Sequence, residues 1–117
     1  PKAMVHITSG GYSNLNRVEN DNVRFVIDPS PPVPEVFKLI QERGRVSDEE
    51  MHEVFNMGTG FILIVNGEKE FLKISAICKK YDLATQRIGY VEPCQGKEVT
   101  IPKFELIGRG QKITRTQ

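Results

Sequence analysis

The sequence has little excess charge, few cysteines and no long apolar segment. Its formal net charge is +1, so it lacks the strongly basic surface that nucleic acid or an anionic membrane selects. No apolar run approaches the ~20 residues that a bilayer-spanning helix needs. Cys78 and Cys94, the two cysteines, belong to no Cys-x-x-Cys motif, which argues against a structural zinc or redox site. We therefore expect a soluble, cytoplasmic protein that binds neither nucleic acid nor membrane.

The length of 117 residues and the apolar content of 38% are enough for one modest hydrophobic core. We predict a single domain over residues 1–107. Residues 108–117 are basic and carry few apolar side chains, and we expect them to form a disordered tail.

The segment HITSGGY, which begins at His6, holds most of the candidate chemistry. His6 supplies an imidazole, the side chain most often used for proton transfer near neutral pH. Thr8 and Ser9 carry hydroxyl donors, and the pair Gly10 and Gly11 lets the backbone adopt positive φ and approach a ligand closely. Successive amide groups in such a turn can bind an anion. A simple polar turn has the same composition, so this segment alone leaves both interpretations open.

The hydrophobic pattern predicts both strands and helices. Runs of β-branched and aromatic residues predict strands, and apolar residues at helical spacing predict helices. The predicted strands cover residues 22–28, 61–65, 85–91, 98–101 and 104–107, and the predicted helices cover residues 35–43, 47–55 and 68–81. The fold class is therefore α+β, with a mixed, largely antiparallel sheet covered by about three helices.

Three local features refine this prediction. Residues 61–65 are apolar on both faces, which is typical of a strand in the middle of a sheet. The strands at residues 85–91 and 98–101 are separated by a short turn and are expected to form a hairpin. On the second helix, the buried stripe is assigned to Met51 and its apolar neighbours, so we expect His52 to be exposed and without function.

Five segments occur in an order that is typical of one enzyme family. They are the His-Ile-Thr loop at residues 6–11, Pro-Glu-Val-Phe at 34–37, Val-Ser-x-Glu-Glu-Met at 46–51, Phe-Asn-Met-Gly-x-Gly at 55–60 and Ile-Gly-x-Val at 88–91. Together they resemble the C-terminal domain of phosphoribosylformylglycinamidine cyclo-ligase, also called AIR synthetase. The resemblance covers roughly residues 3–101.

The resemblance implies an enzyme of de novo purine biosynthesis. In that family, ATP and Mg²⁺ support closure of the imidazole ring of aminoimidazole ribonucleotide from formylglycinamidine ribonucleotide. The formyl oxygen is activated by phosphoryl transfer, and a nitrogen then closes the ring. The family's N-terminal domain carries most of the ATP and magnesium site and forms a dimer, and nothing in this chain matches it. The resemblance therefore implies that ATP and Mg²⁺ bind mainly outside this chain. It also implies that the partner is an N-terminal part or a second copy, and that the chain alone is not catalytically competent.

The resemblance also assigns roles to residues. It makes His6 the candidate for proton transfer, and it places Thr8, Ser9, Gly10 and Gly11 where they approach the phosphate or ribose of the phosphoribosyl substrate. Ser9 replaces a glycine of the family pattern, which puts a Cβ where the backbone is expected to approach the substrate.

A second loop and the acidic residues complete this assignment. Asn56 matches the second loop and is a candidate substrate contact. No metal ligand is predicted in this chain, because Asp48, Glu49 and Glu50 lie in the first turn of a helix, where the helix dipole favours acidic side chains. Tyr12, next to the first loop, either stacks on a base or shields the turn.

Two alternatives to the cyclo-ligase stay open. One is a non-catalytic module, derived from this domain, that binds a nucleotide or another protein. The other is a piece of the related amidotransferase of the preceding purine step, although the motif at residues 55–60 favours the cyclo-ligase. Because part of the family's domain has no match in this chain, we expect a sheet with unpaired edges and uncovered apolar surface, and therefore self-association or instability.

Overall fold

The structure is a computed structural model that describes residues 1–116, and it contains seven strands and three α-helices. In chain order the strands are β1 (Ala3–His6), β2 (Val23–Ile27), β3 (Phe61–Ile64), β4 (Gly89–Pro93), β5 (Lys97–Ile101), β6 (Leu106–Arg109) and β7 (Lys112–Arg115). The α-helices are α1 (Glu35–Gly44), α2 (Asp48–Val54) and α3 (Gly67–Lys79). Two short 3-10 helices cover Gly11–Arg17 and Pro102–Phe104.

The strands form two sheets of unequal size. β1 and β3 make a two-stranded antiparallel sheet, in which Val5 lies opposite Ile62. The other five strands form a second sheet in the order β4-β2-β5-β6-β7. Within residues 1–116, β2 and β5 are the one parallel pair, and all other neighbours are antiparallel. The predicted class, α+β with a mixed and largely antiparallel sheet, is confirmed.

The core lies between the two sheets and the first 3-10 helix. β2 and β5 each place alternate side chains on the inner face of the large sheet, and Val26 and Glu98 on the opposite face are buried as well. The buried cluster consists of Val5, Ile7, Tyr12, Leu15, Phe25, Ile27, Ile62, Val99, Ile101, Leu106 and Ile113. This cluster holds the segment after β1 in place, because Ile7, Tyr12 and Leu15 all belong to it.

The helices cover the sheets less completely than expected. α2 begins as predicted, because the Ser47 hydroxyl oxygen accepts the Glu50 N–H at 3.1 Å. α2 also buries Met51 fully. By contrast, neither α1 nor α3 contains a buried residue. Leu72 and Ile77 of α3 are 58% and 55% exposed.

The central-strand prediction for residues 61–65 is wrong. β3 pairs with β1 alone among the described strands, and Phe61 is 56% exposed. Periodicity cannot distinguish a strand that is buried on both faces from one whose second face lacks a covering layer. β3 is therefore an edge strand of the small sheet.

The predicted hairpin is also wrong, because β2 lies between β4 and β5. Phe25 of β2 sits opposite Val91 on one side and Val99 on the other. The connection between β4 and β5 crosses the end of β2, where the Cys94 N–H donates to the Asn22 carbonyl at 3.2 Å. Because β2 lies between β4 and β5, both of its edges are hydrogen-bonded. If β4 and β5 formed a hairpin with each other, at least one edge of β2 would lose its partner strand.

The tail prediction is wrong for the described residues up to 116. Gly110, at φ +60°, turns the chain so that β7 pairs with β6. Ile113 is 3% exposed in the core, and its N–H donates to a Glu53 carboxylate oxygen at 3.2 Å. The alternation of Lys112, Ile113 and Thr114 about the turn predicts a half-buried strand better than a tail. Residue 117, the last of the predicted tail, lies outside the described residues.

Within residues 1–116, the helices are too short or too polar to cross a lipid bilayer.

Candidate functional site

The candidate site begins where β1 ends and the chain turns. Val5 and Ile7 point into the core, so His6, between them, points to the outer face of the small sheet. The Ile7 N–H donates to the Gly60 carbonyl at 2.9 Å, which brings the second loop against the first. The two loops that the sequence singled out are therefore neighbours in the fold.

His6 is exposed and faces an aromatic residue. Its ring centroid lies 6.4 Å from that of Phe61, the residue opposite it in the strand pairing. Neither ring nitrogen of His6 makes a hydrogen bond to residues 1–116. The imidazole is thus free to exchange a proton with a bound molecule, and it is not buried among aliphatic side chains.

Thr8 and Ser9 are exposed at the turn, and their hydroxyls make no hydrogen bond within the described chain. Gly10 follows with φ +101°, a conformation that favours glycine. The backbone of the turn is held by Asn14, whose side-chain oxygen accepts the Thr8 N–H at 2.8 Å. The hydroxyls that the sequence predicts as substrate contacts are therefore accessible on a turn of defined shape.

Gly11 has a different position from its neighbours. It is buried, and a Cβ at this residue would collide with the carbonyl oxygens of His52 and Phe55 at the end of α2. Its φ of +56° is also in the left-handed region. Gly11 was predicted to approach the substrate, but in the structure it permits close packing of the turn against α2.

Tyr12 and Thr59 link the two loops through their side chains. Their hydroxyl oxygens are 2.8 Å apart, and Tyr12 is 2% exposed. Burial raises the pKa of the Tyr12 phenol above its usual value, and the hydrogen bond to Thr59 opposes that rise. Of the two interpretations of Tyr12, the structure shows the one in which it shields the turn. Sequence reasoning missed Thr59, which lies between two glycines of a recognised motif.

Asn56 is half-buried and bonded to its own loop. Its side-chain oxygen accepts the Gly58 N–H at 2.8 Å, a local bond that asparagine commonly makes in turns. A Cβ on Gly58 would meet the ring of Pro34. The second loop is therefore shaped by local bonding and packing, and contact between Asn56 and substrate stays a prediction.

His52 was expected to be exposed, and that expectation is wrong. It is 1% exposed, its Nδ1 lies 2.8 Å from the Asp48 carbonyl, and its ring packs 4.6 Å from that of Phe104. Burial lowers the pKa of His52, although the bond to the Asp48 carbonyl opposes this. The sequence prediction assigned only apolar residues to the buried face of α2. It therefore missed His52, whose imidazole is buried next to Met51.

Two cavities lie near the small sheet. One of about 810 Å³ is lined by residues that include Phe25, Ile64 and Ile88. The other, of about 430 Å³, is lined in part by Thr59 and Phe61. No residue from 6 to 11 lines either cavity, so the first loop lies outside both. It adjoins the smaller cavity through Phe61, which faces His6, and Thr59, which bonds to Tyr12.

The donor set does not fit a divalent metal ion. Within residues 1–116, no three histidine, cysteine, aspartate or glutamate side chains are placed to hold one. Asp48 and Glu49, at the start of α2, instead pair with Arg115 of β7, at 3.8 and 3.3 Å. The acidic residues at the start of α2 are therefore paired with a basic side chain and do not form a metal-ligating cluster within residues 1–116.

Comparison with known proteins assigns the family. Residues 1–102 match the family described as "AIR synthase related protein, C-terminal domain". A phosphoribosylformylglycinamidine cyclo-ligase of Methanocaldococcus jannaschii is 44% identical over 90 residues, which are 77% of this chain and 25% of that protein. The cyclo-ligases of Thermoplasma acidophilum and Sulfurisphaera tokodaii are 34% and 37% identical over 93% and 91% of this chain.

This chain corresponds to 30% and 31% of those last two proteins, so it spans less than a third of the relatives it matches. The family match covers both candidate loops and most of the two sheets. This chain belongs to the AIR synthase related protein, C-terminal domain family.

Proposed function

We propose that this chain forms the substrate-side part of a phosphoribosylformylglycinamidine cyclo-ligase. That enzyme closes the imidazole ring of aminoimidazole ribonucleotide from formylglycinamidine ribonucleotide in de novo purine biosynthesis. The observation that carries the proposal is the grouping of an exposed His6 with the unbonded hydroxyls of Thr8 and Ser9 on one turn. The smaller cavity, about 430 Å³, adjoins this turn and is within the size range of small-molecule sites.

Thr8, Ser9 and Gly10 supply the donors for the phosphoribosyl group. Hydroxyl and backbone N–H groups are common ligands for phosphate and ribose oxygens, and Gly10, at φ +101°, shapes the turn that carries them. The Cβ of Ser9 lies on the exposed side of the turn, so the replacement of a glycine adds a hydroxyl donor there. Asn56 is the candidate contact from the second loop.

His6 handles the proton of ring closure. A substrate nitrogen must lose a proton as it bonds to the formyl carbon, and an imidazole at the edge of the site can accept it. General base catalysis of this kind is worth about 10²–10⁴ in rate. Because His6 makes no hydrogen bond within residues 1–116, substrate binding need not break an existing bond.

ATP and Mg²⁺ are assigned to polypeptide beyond this chain, for two reasons. The described residues hold no metal cluster, and the chain spans under a third of the relatives it matches. That polypeptide is an N-terminal part of the enzyme, and the partner of this chain is that part or a second copy in a homodimer. A cytoplasmic setting agrees with Cys78 and Cys94 both being free thiols.

The test is ATP-dependent cyclisation by this chain alone and with an N-terminal portion of a cyclo-ligase added. We expect turnover only in the mixture, and its loss with His6→Ala. Met4→Ala is the matched control, because Met4 is an exposed residue on the same face of β1. Turnover by the chain alone would contradict the assignment of ATP, and full activity with His6→Ala would contradict the role of His6.

A second candidate function is a non-catalytic interaction module. The exposed apolar side chains of α3, Leu72 and Ile77, favour it, because apolar surface without a covering layer is often part of a protein interface. The two candidates differ in the same assay. Absence of turnover after complementation, together with stable binding to the added portion, would favour the module.

A further inference from the structure

Asn14 lies beneath the turn that carries the proposed substrate contacts. It is 2% exposed, and both polar atoms of its side chain bond to that turn. Its Oδ1 accepts the Thr8 N–H at 2.8 Å, and its Nδ2 donates to the Ser9 carbonyl at 3.2 Å. A primary amide can do both at once, because it carries a donor and an acceptor side by side.

The neighbouring side chain completes this arrangement. The Ser13 hydroxyl donates to the Gly10 carbonyl at 2.5 Å. A Cβ added at Gly10 would lie 3.0 Å from the Asn14 Nδ2, so the amide packs directly against the turn. Three consecutive residues of the turn are therefore bonded from below by two consecutive side chains at the start of the 3-10 helix.

We propose that Asn14 is a positioning residue that fixes the turn so that the Thr8 and Ser9 hydroxyls face the phosphoribosyl substrate. This inference rests on the proposed function. A turn with a flexible glycine pair samples many conformations, and ordering it when substrate binds costs free energy. The Asn14 amide orders the turn beforehand, while leaving the two hydroxyls free for the ligand.

Asn16 provides a matched control in the same helix. Its Nδ2 donates to the carbonyl of Gly110 in the turn between β6 and β7 at 3.0 Å, and to that of Gly108 in β6 at 3.3 Å. Replacing Asn16 by alanine also removes bonds from an asparagine amide to backbone, at a place that does not contact the turn. A general loss of stability should therefore affect both variants, whereas a local effect on the turn should follow Asn14 alone.

The first experiment measures amide hydrogen exchange by NMR on the full chain. Loss of the acceptor in Asn14→Ala should accelerate exchange at the Thr8 amide by about tenfold or more, after scaling to global stability. Asn16→Ala should leave that rate unchanged, and Asn14→Asp, which keeps an acceptor oxygen, should retain the protection. Equal Thr8 exchange in Asn14→Ala and the unmodified chain would overturn the proposal.

The second experiment measures kinetics in the complemented cyclisation assay. Asn14→Ala should raise KM for formylglycinamidine ribonucleotide about tenfold, with a smaller change in kcat, because His6 is untouched. Asn14→Asp should rescue KM only in part, because it places a carboxylate oxygen against the Ser9 carbonyl. If the KM of Asn14→Ala equalled that of Asn16→Ala, the positioning role would be refuted, and the proposed function would stand. An inactive unmodified mixture would instead refute the proposed function, and the exchange rates would still decide the role of Asn14.

Discussion

Replacing Gly11 by alanine should destabilise the protein through two separable effects. The first is backbone strain, because φ at Gly11 is +56° and an L-residue in the left-handed region costs about 1–2 kcal/mol. The second is overpacking, because the new Cβ would meet the carbonyl oxygens of His52 and Phe55. Adding a methyl group to a tightly packed site costs about 1–3 kcal/mol. We expect the free energy of unfolding to fall by about 2–5 kcal/mol in total.

Gly110→Ala separates the two effects. Gly110 has a nearly identical φ of +60°, but no atom lies within 4 Å of the position that its Cβ would occupy. This control should therefore lose only the strain contribution, about 1–2 kcal/mol. Urea denaturation of both variants at one protein concentration gives the difference. If Gly11→Ala were no less stable than Gly110→Ala, the close contact between the turn and α2 would be refuted.

Three further predictions concern titration, loop contact and association. The free energy of unfolding should fall as the pH drops below about 6.5, by at most about 1.4 kcal/mol per pH unit. In this range the unfolded chain takes up a proton at His52, whereas burial lowers the pKa of His52 in the folded protein and keeps it neutral. In urea titrations across pH, this slope should be smaller for His52→Gln, and an equal slope would contradict neutral burial. Tyr12→Phe should cost about 0.5–1.5 kcal/mol in urea denaturation by removing the bond to Thr59, and an unchanged midpoint would argue against that bond. The chain should self-associate in sedimentation experiments, and Leu72→Lys with Ile77→Lys should weaken this; a monomer at high concentration would contradict this prediction.

The fold class and the positions of the main elements were predictable from local signals. The capping box at Ser47 predicted the start of α2 correctly, and the alternation of β-branched residues predicted β2. These signals depend on neighbours in sequence, which is why they succeeded. Strand order was not predictable, because the insertion of β2 between β4 and β5 depends on contacts between distant residues.

The types of residue at the candidate site were predictable from the sequence, but the packing of each residue was not. The sequence predicted a candidate imidazole, His6, next to a hydroxyl-bearing turn, and those residues lie together on the surface. It did not distinguish Gly11, which packs against α2, from Gly10, which shapes the turn. Asn14 was missed because a buried asparagine that bonds to backbone has the same local sequence as a polar loop.

The position of β2 affects how this protein folds during its synthesis on the ribosome. Both partners of β2 lie later in the chain, between Gly89 and Ile101. A nascent chain must therefore extend roughly sixty residues beyond this strand before either neighbour exists, which is the kind of long-range closure that slows folding. During that interval Phe25 and Ile27 have no sheet to join. Chaperones that shield apolar segments during translation should thus matter most for this early strand.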